Sequence, residues 1–200
     1  FMILGFMTGL MAGITVLTSQ RFGAEDMRGM RRSVASAGMI AIAATIILTA
    51  ISLLGMHRLL VLMNTPDDIF DDAYRYIMII CAGILVQALY NLFACILRAL
   101  GNSKVPLYFL LFSASMNIIL DLVSIIVLKM GVAGAAYATV ISQGVAAVLC
   151  FIVMFKKHDI LRTGREDYYW DNQGILRMLS IGIPMALNYS ITAIGTMILQ

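Results

Sequence analysis

Residues 105–128 read VPLYFLLFSASMNIILDLVSIIVL, an apolar run interrupted by a single charge, Asp121. A helix needs about 20 such residues to cross a hydrocarbon core about 30 Å thick, and this run is long enough. Ser113, Asn117, Asp121 and Ser124 follow one another at spacings of 4, 4 and 3, which aligns them along one helix face. A carboxylate at that depth costs on the order of 2.5–3.5 kcal/mol. The face that carries it must therefore point into a bundle or a water-filled cavity, away from lipid.

The rest of the chain repeats the pattern. Stretches 1–20, 33–56, 76–97, 130–155 and 178–200 contain no Asp, Glu, Lys or Arg. The chain is 61% hydrophobic and only 12% charged, with a mean hydropathy of +0.92; a soluble domain carries roughly a quarter charged residues. The fold class expected is an all-α polytopic membrane protein with six transmembrane helices, at 1–19, 34–56, 76–97, 105–128, 131–155 and 178–200. The first run has no basic leader or cleavage site before it, so it reads as a span and not as a signal peptide. The chain begins and ends inside apolar runs, as a piece of a longer protein would.

The expected loops are 20–33, 57–75, 98–104, 129–130 and 156–177. Eleven of the fourteen basic residues lie in the first, third and fifth, and the positive-inside rule puts those three in the cytoplasm. Phe1 then lies outside, with one span before it if the intact protein starts in the cytoplasm. The net charge of +3 belongs to this topology, and nucleic acid is excluded as a partner because no basic domain stands clear of the membrane. Loop 156–177 is the longest and most polar, and reads as a linker between two bundles. In loop 57–75, Thr65, Pro66, Asp67, Asp68, Asp71 and Asp72 suit a helix start; they lack the Gly and terminal Glu of a calcium loop.

Other residues carry less. Gly5, Gly9 and Gly13 form a groove on one face of the first span, suited to close helix packing. Cys81, Cys95 and Cys150 have no metal or disulfide spacing. His57 and His158 flank spans, and no catalytic motif is present, so no enzyme and no cofactor is expected. The fifteen Met residues suit packing or a pliable apolar pocket. Partners for Asp121 are sought on neighbouring spans. Thr139 in the fifth span sits at a similar count from the outer loop, alongside Ser142 and Gln143. The third span offers Tyr76, and Gln87 and Asn91 at i, i+4; Gln87, Asn91 and Gln143 are candidates for lining a substrate cavity. Hydroxyl, amide and carboxylate oxygens suit a small hard cation.

The chain resembles the multidrug and toxic compound extrusion (MATE) family. The resemblance rests on Gln20-Arg21-Phe22-Gly23-Ala24, on Leu97-Arg98-Ala99-Leu100-Gly101-Asn102-Ser103-Lys104, on Met116-Asn117-Ile118-Ile119-Leu120-Asp121, and on Gly131-Val132-Ala133-Gly134-Ala135-Ala136-Tyr137-Ala138-Thr139, in order along the chain. It implies a twelve-helix, two-lobe transporter of the plasma membrane, with residues 1–155 forming most of the first lobe, 156–177 the linker and 178–200 the first span of the second lobe. It implies an antiporter that exports amphipathic or cationic organic compounds against Na⁺ or H⁺. The cation network (Na⁺ if sodium-coupled) falls on Asp121, Asn117 and Thr139, with Tyr76 nearby, Asn91 lining the lobe cavity and a further acid on a helix before Phe1. Where some branches carry an acid in the seventh helix, this chain has Thr192. A lipid-linked saccharide flippase would show cations within its spans, and none is found; a non-transporting membrane scaffold is the alternative of a different class.

Overall fold

In the computed structural model the described residues are 2–62, 67–157 and 172–198. Seven α-helices account for nearly all of them: α1 (Met2–Gly23), α2 (Met27–Leu62), α3 (Asp67–Ala82), α4 (Ile84–Ala99), α5 (Lys104–Leu122), α6 (Gly131–Lys157) and α7 (Asn172–Ile198). A π-helical turn, Val123–Val127, extends α5. Five of the described helices are long and apolar enough to span a membrane alone; α3 and α4, bent by 42° at their junction, meet the same test only when taken together.

The loops are shorter than the charge pattern suggests. Expected loop 20–33 shrinks to residues 24–26, and α2 runs on for 36 residues, about 54 Å at 1.5 Å per residue. Charge marks where lipid ends, but a helix keeps its hydrogen bonds beyond that point until a breaker intervenes. Most of loop 57–75 is likewise helical, as the end of α2 and the start of α3. Thr65 and Pro66 lie outside the described residues, as does most of linker 156–177. The last helix starts at Asn172 and not at 178.

Local chemistry explains the turns that are described. Asp26 caps α2, its Oδ1 accepting from the Gly29 N–H at 2.9 Å. Arg21 at the end of α1 donates to the Gly29 carbonyl (2.7 Å) and to Ser33 Oγ (2.8 Å), tying α1 to α2. A Cβ on Gly29 would collide with the Asp26 carboxylate. At the end of α4, Gly101 takes a left-handed φ of 79°. The Asn102 N–H bonds to Leu97 O and the Gly101 N–H to Arg98 O, a Schellman stop. Asn102 Oδ1 then accepts from the Val105 N–H at the start of α5.

The glycine groove of α1 is filled by α7. A Cβ at Gly9 would lie 2.7 Å from Met185 O and 2.8 Å from Ala186 Cα, and one at Gly13 would lie 2.5 Å from Gly182 Cα. Gly174, Met178, Gly182, Ala186 and Ser190 are buried along one face of α7, a small-residue stripe facing the groove. The contacts pair rising α1 numbers with falling α7 numbers, so the helices are antiparallel. This is the most extensive helix pair among the described residues.

Burial in α5 is inverted relative to a soluble helix. Ile118 (61% exposed), Ile119 (61%) and Leu122 (55%) face out, whereas Ser113 (6%) and Ser124 (8%) are buried. Only a hydrocarbon surround makes that arrangement favourable. We predict that Gly9→Ala destabilises the intact protein by about 1–3 kcal/mol through overpacking. Gly23→Ala, with no atom within 4 Å of the new Cβ, should be neutral or slightly stabilising. Unfolding in mixed lipid–detergent micelles checks this; equal effects at the two positions would refute the packing role.

Candidate cation site in the fourth span

The polar stripe of α5 meets α6. Asn117 Nδ2 donates to Thr139 Oγ1 at 3.3 Å, and the Thr139 hydroxyl donates to Ala135 O at 3.0 Å within its own helix. Asp121 lies one turn outward from Asn117 on the same face. Its Oδ1 is buried with no hydrogen-bond partner, in a half-buried side chain. The count from the outer loop set Thr139 level with Asp121; the structure pairs it with Asn117. A π turn follows Asp121, where the Leu128 N–H reaches back to Val123 O. It takes up about one residue more than an α turn, which brings α5 slightly nearer its loop end but accounts for only part of the full turn between Asp121 and Asn117. Lys129 and Gly131 complete the reversal with φ of 50° and 59°. Gly134 is needed beyond it, since a Cβ there would lie 2.8 Å from Ser124 Cβ.

Charge and donor type decide what this arrangement can hold. Asp121 supplies a carboxylate oxygen without a hydrogen-bond partner, and Thr139 a hydroxyl oxygen. Asn117 spends its NH₂ on Thr139, which leaves one lone pair on the Thr139 oxygen. Carboxylate and hydroxyl oxygens are hard donors of the kind a small cation takes. Among the described residues no cluster of three His, Cys, Asp or Glu exists.

The other candidates divide. Gln87, Thr139 and Gln143 come together, with Ile80, Gly83 and Val140, around a small cavity of about 10 Å³. It lies where α3 breaks into α4. The Gln143 Oε1 is buried without a hydrogen-bond partner. Tyr76 and Asn91 are half-buried on α3 and α4, and no hydrogen bond joins either to the cluster. Asp71 and Asp72 are exposed, and the side chains of Asp67 and Asp68 lie outside the described set.

Two features escaped the sequence reading. One is the fully buried Thr18, whose hydroxyl lacks a partner. The other is a cavity of about 410 Å³ among α1, α4 and α7, lined by Thr8, Thr15, Ser19, Arg98 and Tyr189 among others. Hydroxyls at 8, 15 and 19 recur on one face of α1, a signal as readable as the α5 stripe. Each donates back to a carbonyl of its own helix, leaving its oxygen free to accept.

These helices and their inward polar stripe define a multi-pass, all-helical membrane protein. Comparison with known proteins agrees. A family model described as MatE matches residues 1–123. The chain is 31% identical over 195 residues to the probable multidrug resistance protein YpnP of Bacillus subtilis, covering 98% of this chain and 43% of that protein. It is 28% identical over 190 residues to the probable multidrug resistance protein NorM of Thermotoga maritima, covering 92% and 40%. Among solved structures, an inward-facing multidrug resistance MATE family transporter of the MOP superfamily superposes with a TM-score of 0.89 at 25% identity, over 95% of this chain and 44% of that one. An outward-facing structure of such a transporter gives 0.90 at 24% identity, over 98% and 44%. The chain spans less than half the length of the relatives it matches. It belongs to the MatE family, and is a multi-pass protein of the plasma membrane.

Because Asn117 and Thr139 touch, their contributions to stability should be coupled. In a double-mutant cycle, Asn117→Ala with Thr139→Val should show a coupling of about 0.6 kcal/mol, the average for such pairs between membrane helices. The reference pair Asn91 and Thr139, which no hydrogen bond joins, should show none.

Proposed function

We propose that the protein containing this chain is a cation-coupled antiporter, driven by Na⁺ or H⁺, that exports amphipathic or cationic organic compounds by alternating access. The observation that carries the reading is the buried, unpartnered oxygen of Asp121 beside the Asn117–Thr139 contact, in a family whose relatives are named multidrug resistance proteins. The buried Oδ1 of Asp121 has no hydrogen-bond partner, and a proton or a metal cation would match it. Occupancy of Asp121 therefore follows its access to the ion reservoir.

Other features support this reading. The cavity of about 410 Å³ among α1, α4 and α7 falls in the range that admits a small organic molecule. The chain's backbone, α7 included, matches an inward-facing and an outward-facing relative almost equally well, so the fold of this part is common to both. In this reading α1–α6 form most of one lobe, α7 opens the other, and the segments at 20–33, 98–104 and 156–177 face the cytoplasm. Asp121 and Asn117 with Thr139 hold the ion, Tyr76 stands near them, and Gln87, Asn91 and Gln143 line the lobe interior. An ion can shift the two-state equilibrium only through unequal affinity for the two states. An exposed Asp121 in one state and an enclosed one in the other provide that inequality.

Asp121→Asn should leave expression and membrane insertion of the intact protein unchanged while abolishing ion-dependent efflux of a fluorescent organic cation from cells lacking other pumps. Drug resistance at wild-type level in that variant would refute the assignment. An ion-responsive protein that exports no organic cation in proteoliposomes would favour the flippase alternative.

A further inference from the structure

The cavity at the break in the third span has a chemistry of its own. It is bounded by α3, α4 and α6, and its polar lining is Gln87, Thr139 and Gln143. Gly83 lies so close to α6 that a Cβ there would collide with Val140. Thr139 and Val140 are adjacent, so one turn of α6 touches the helix break on one side and Asn117 on the other.

Hydrogen-bond accounting shows what the cavity requires. Gln143 Oε1 is buried with no donor. The Thr139 oxygen has two lone pairs; Asn117 uses one, while its proton goes to Ala135. One lone pair on Thr139 therefore remains. The cavity volume of about 10 Å³ is close to the least that holds one water, which needs two to four polar partners. Gln87 supplies the amide donor that completes such a set.

We propose that one water molecule occupies this cavity, donating to Gln143 Oε1 and Thr139 Oγ1 and accepting from Gln87 Nε2, and that it competes with a metal cation for the Thr139 oxygen. This rests on the cation reading of Asp121, taken in its sodium form. With the water in place both lone pairs of Thr139 are committed. A sodium ion that draws on Thr139 must displace either the water or the Asn117 amide. Gln143 and Gln87 are then positioning residues: they touch no ion, but set how available Thr139 is to one. They also place that control at the 42° bend between α3 and α4, so the bend and the ion site share a single hydrogen-bonded chain.

The test uses the intact protein in lipid nanodiscs, with Na⁺ as the probe at fixed pH and the Na⁺-dependent rise in Tm as the readout. Gln143→Met keeps length and removes hydrogen bonding. Freed of the competitor, it should lower the Na⁺ midpoint about two- to tenfold, the worth of one net hydrogen bond. If that variant fails to fold, Gln87→Met decides by the same measure. Pulsed hydroxyl-radical labelling gives an independent reading: Ile80 and Val140 should be labelled in the wild type and protected in Gln143→Met. A sodium response abolished by Asp121→Asn but with an unchanged or raised midpoint in the deciding variant overturns the proposal and leaves the cation site standing, as does the absence of labelling in the wild type. A response to pH alone, lost in Asp121→Asn, also overturns it while keeping a proton-coupled site. No response to either ion overturns both.

Discussion

Inside a bilayer the peptide group has no water to turn to, and each unmatched N–H or C=O costs several kcal/mol. This constraint makes the chain helical, keeps its helices running past the lipid boundary, and restricts where they may depart from α geometry. Within the apolar spans two departures stand out, the break at Gly83 and the π turn at Val123–Val127. Both flank the polar residues of α5 and α6. The break keeps its Gly83 N–H on Ile79 O and gives its Gly83 carbonyl to the Gln87 N–H, so the bend is made without abandoning the backbone there. Irregular backbone of this kind is tolerated where protein or a polar cavity surrounds it, and the small cavity lined by Gln87, Thr139 and Gln143 lies against the break.

Hydrophobicity does little to hold helices together in lipid, because lipid tails are as apolar as leucine. Shape has to substitute. The α1–α7 pair shows how, with Gly9 meeting Ala186 and Gly13 meeting Gly182 so closely that a methyl group has no room. The same device recurs at smaller scale where Gly83 meets Val140 and Gly134 meets Ser124. These close approaches set the height of α6 against α4 and α5. They thereby decide that Thr139 faces Asn117 and not Asp121.

The sequence was most legible where a residue was expensive for its surroundings. Asp121 in an apolar run demanded an inward face, and the polar stripe around it proved to be the buried face of α5. The groove of α1 was equally plain, but its occupant was not, because the matching stripe of α7 mixes Gly, Met, Ala and Ser and lacks a single repeated residue. Loops were misjudged because charged residues mark the edge of the lipid and not the end of the helix; Arg28, Arg31 and Arg32 simply ride on α2. The break at Gly83 carries no proline to announce it, and a π turn has no residue signature. Those two features lie against α6, whose packing no local pattern encodes, and neither enters a residue count that sets Thr139 level with Asp121 and not with Asn117.

That displacement matters for how an ion could do work here. With Thr139 tied to Asn117, the buried Oδ1 of Asp121 has no donor among the described residues, which in the proposed mechanism leaves it to an ion or a proton. A transporter gains from such an arrangement only if the two conformations bind the ion unequally, and coupling between sites typically amounts to about 1–3 kcal/mol. A single net hydrogen bond is worth about 0.5–1.5 kcal/mol. Whether the last lone pair of Thr139 is free is therefore a choice of the right size. A strong, fully satisfied site would hold its ion in both states and drive nothing. In the proposed mechanism, the incompletely satisfied polar cluster between α5 and α6 lets small changes at the bend between α3 and α4 decide when the ion stays and when it leaves.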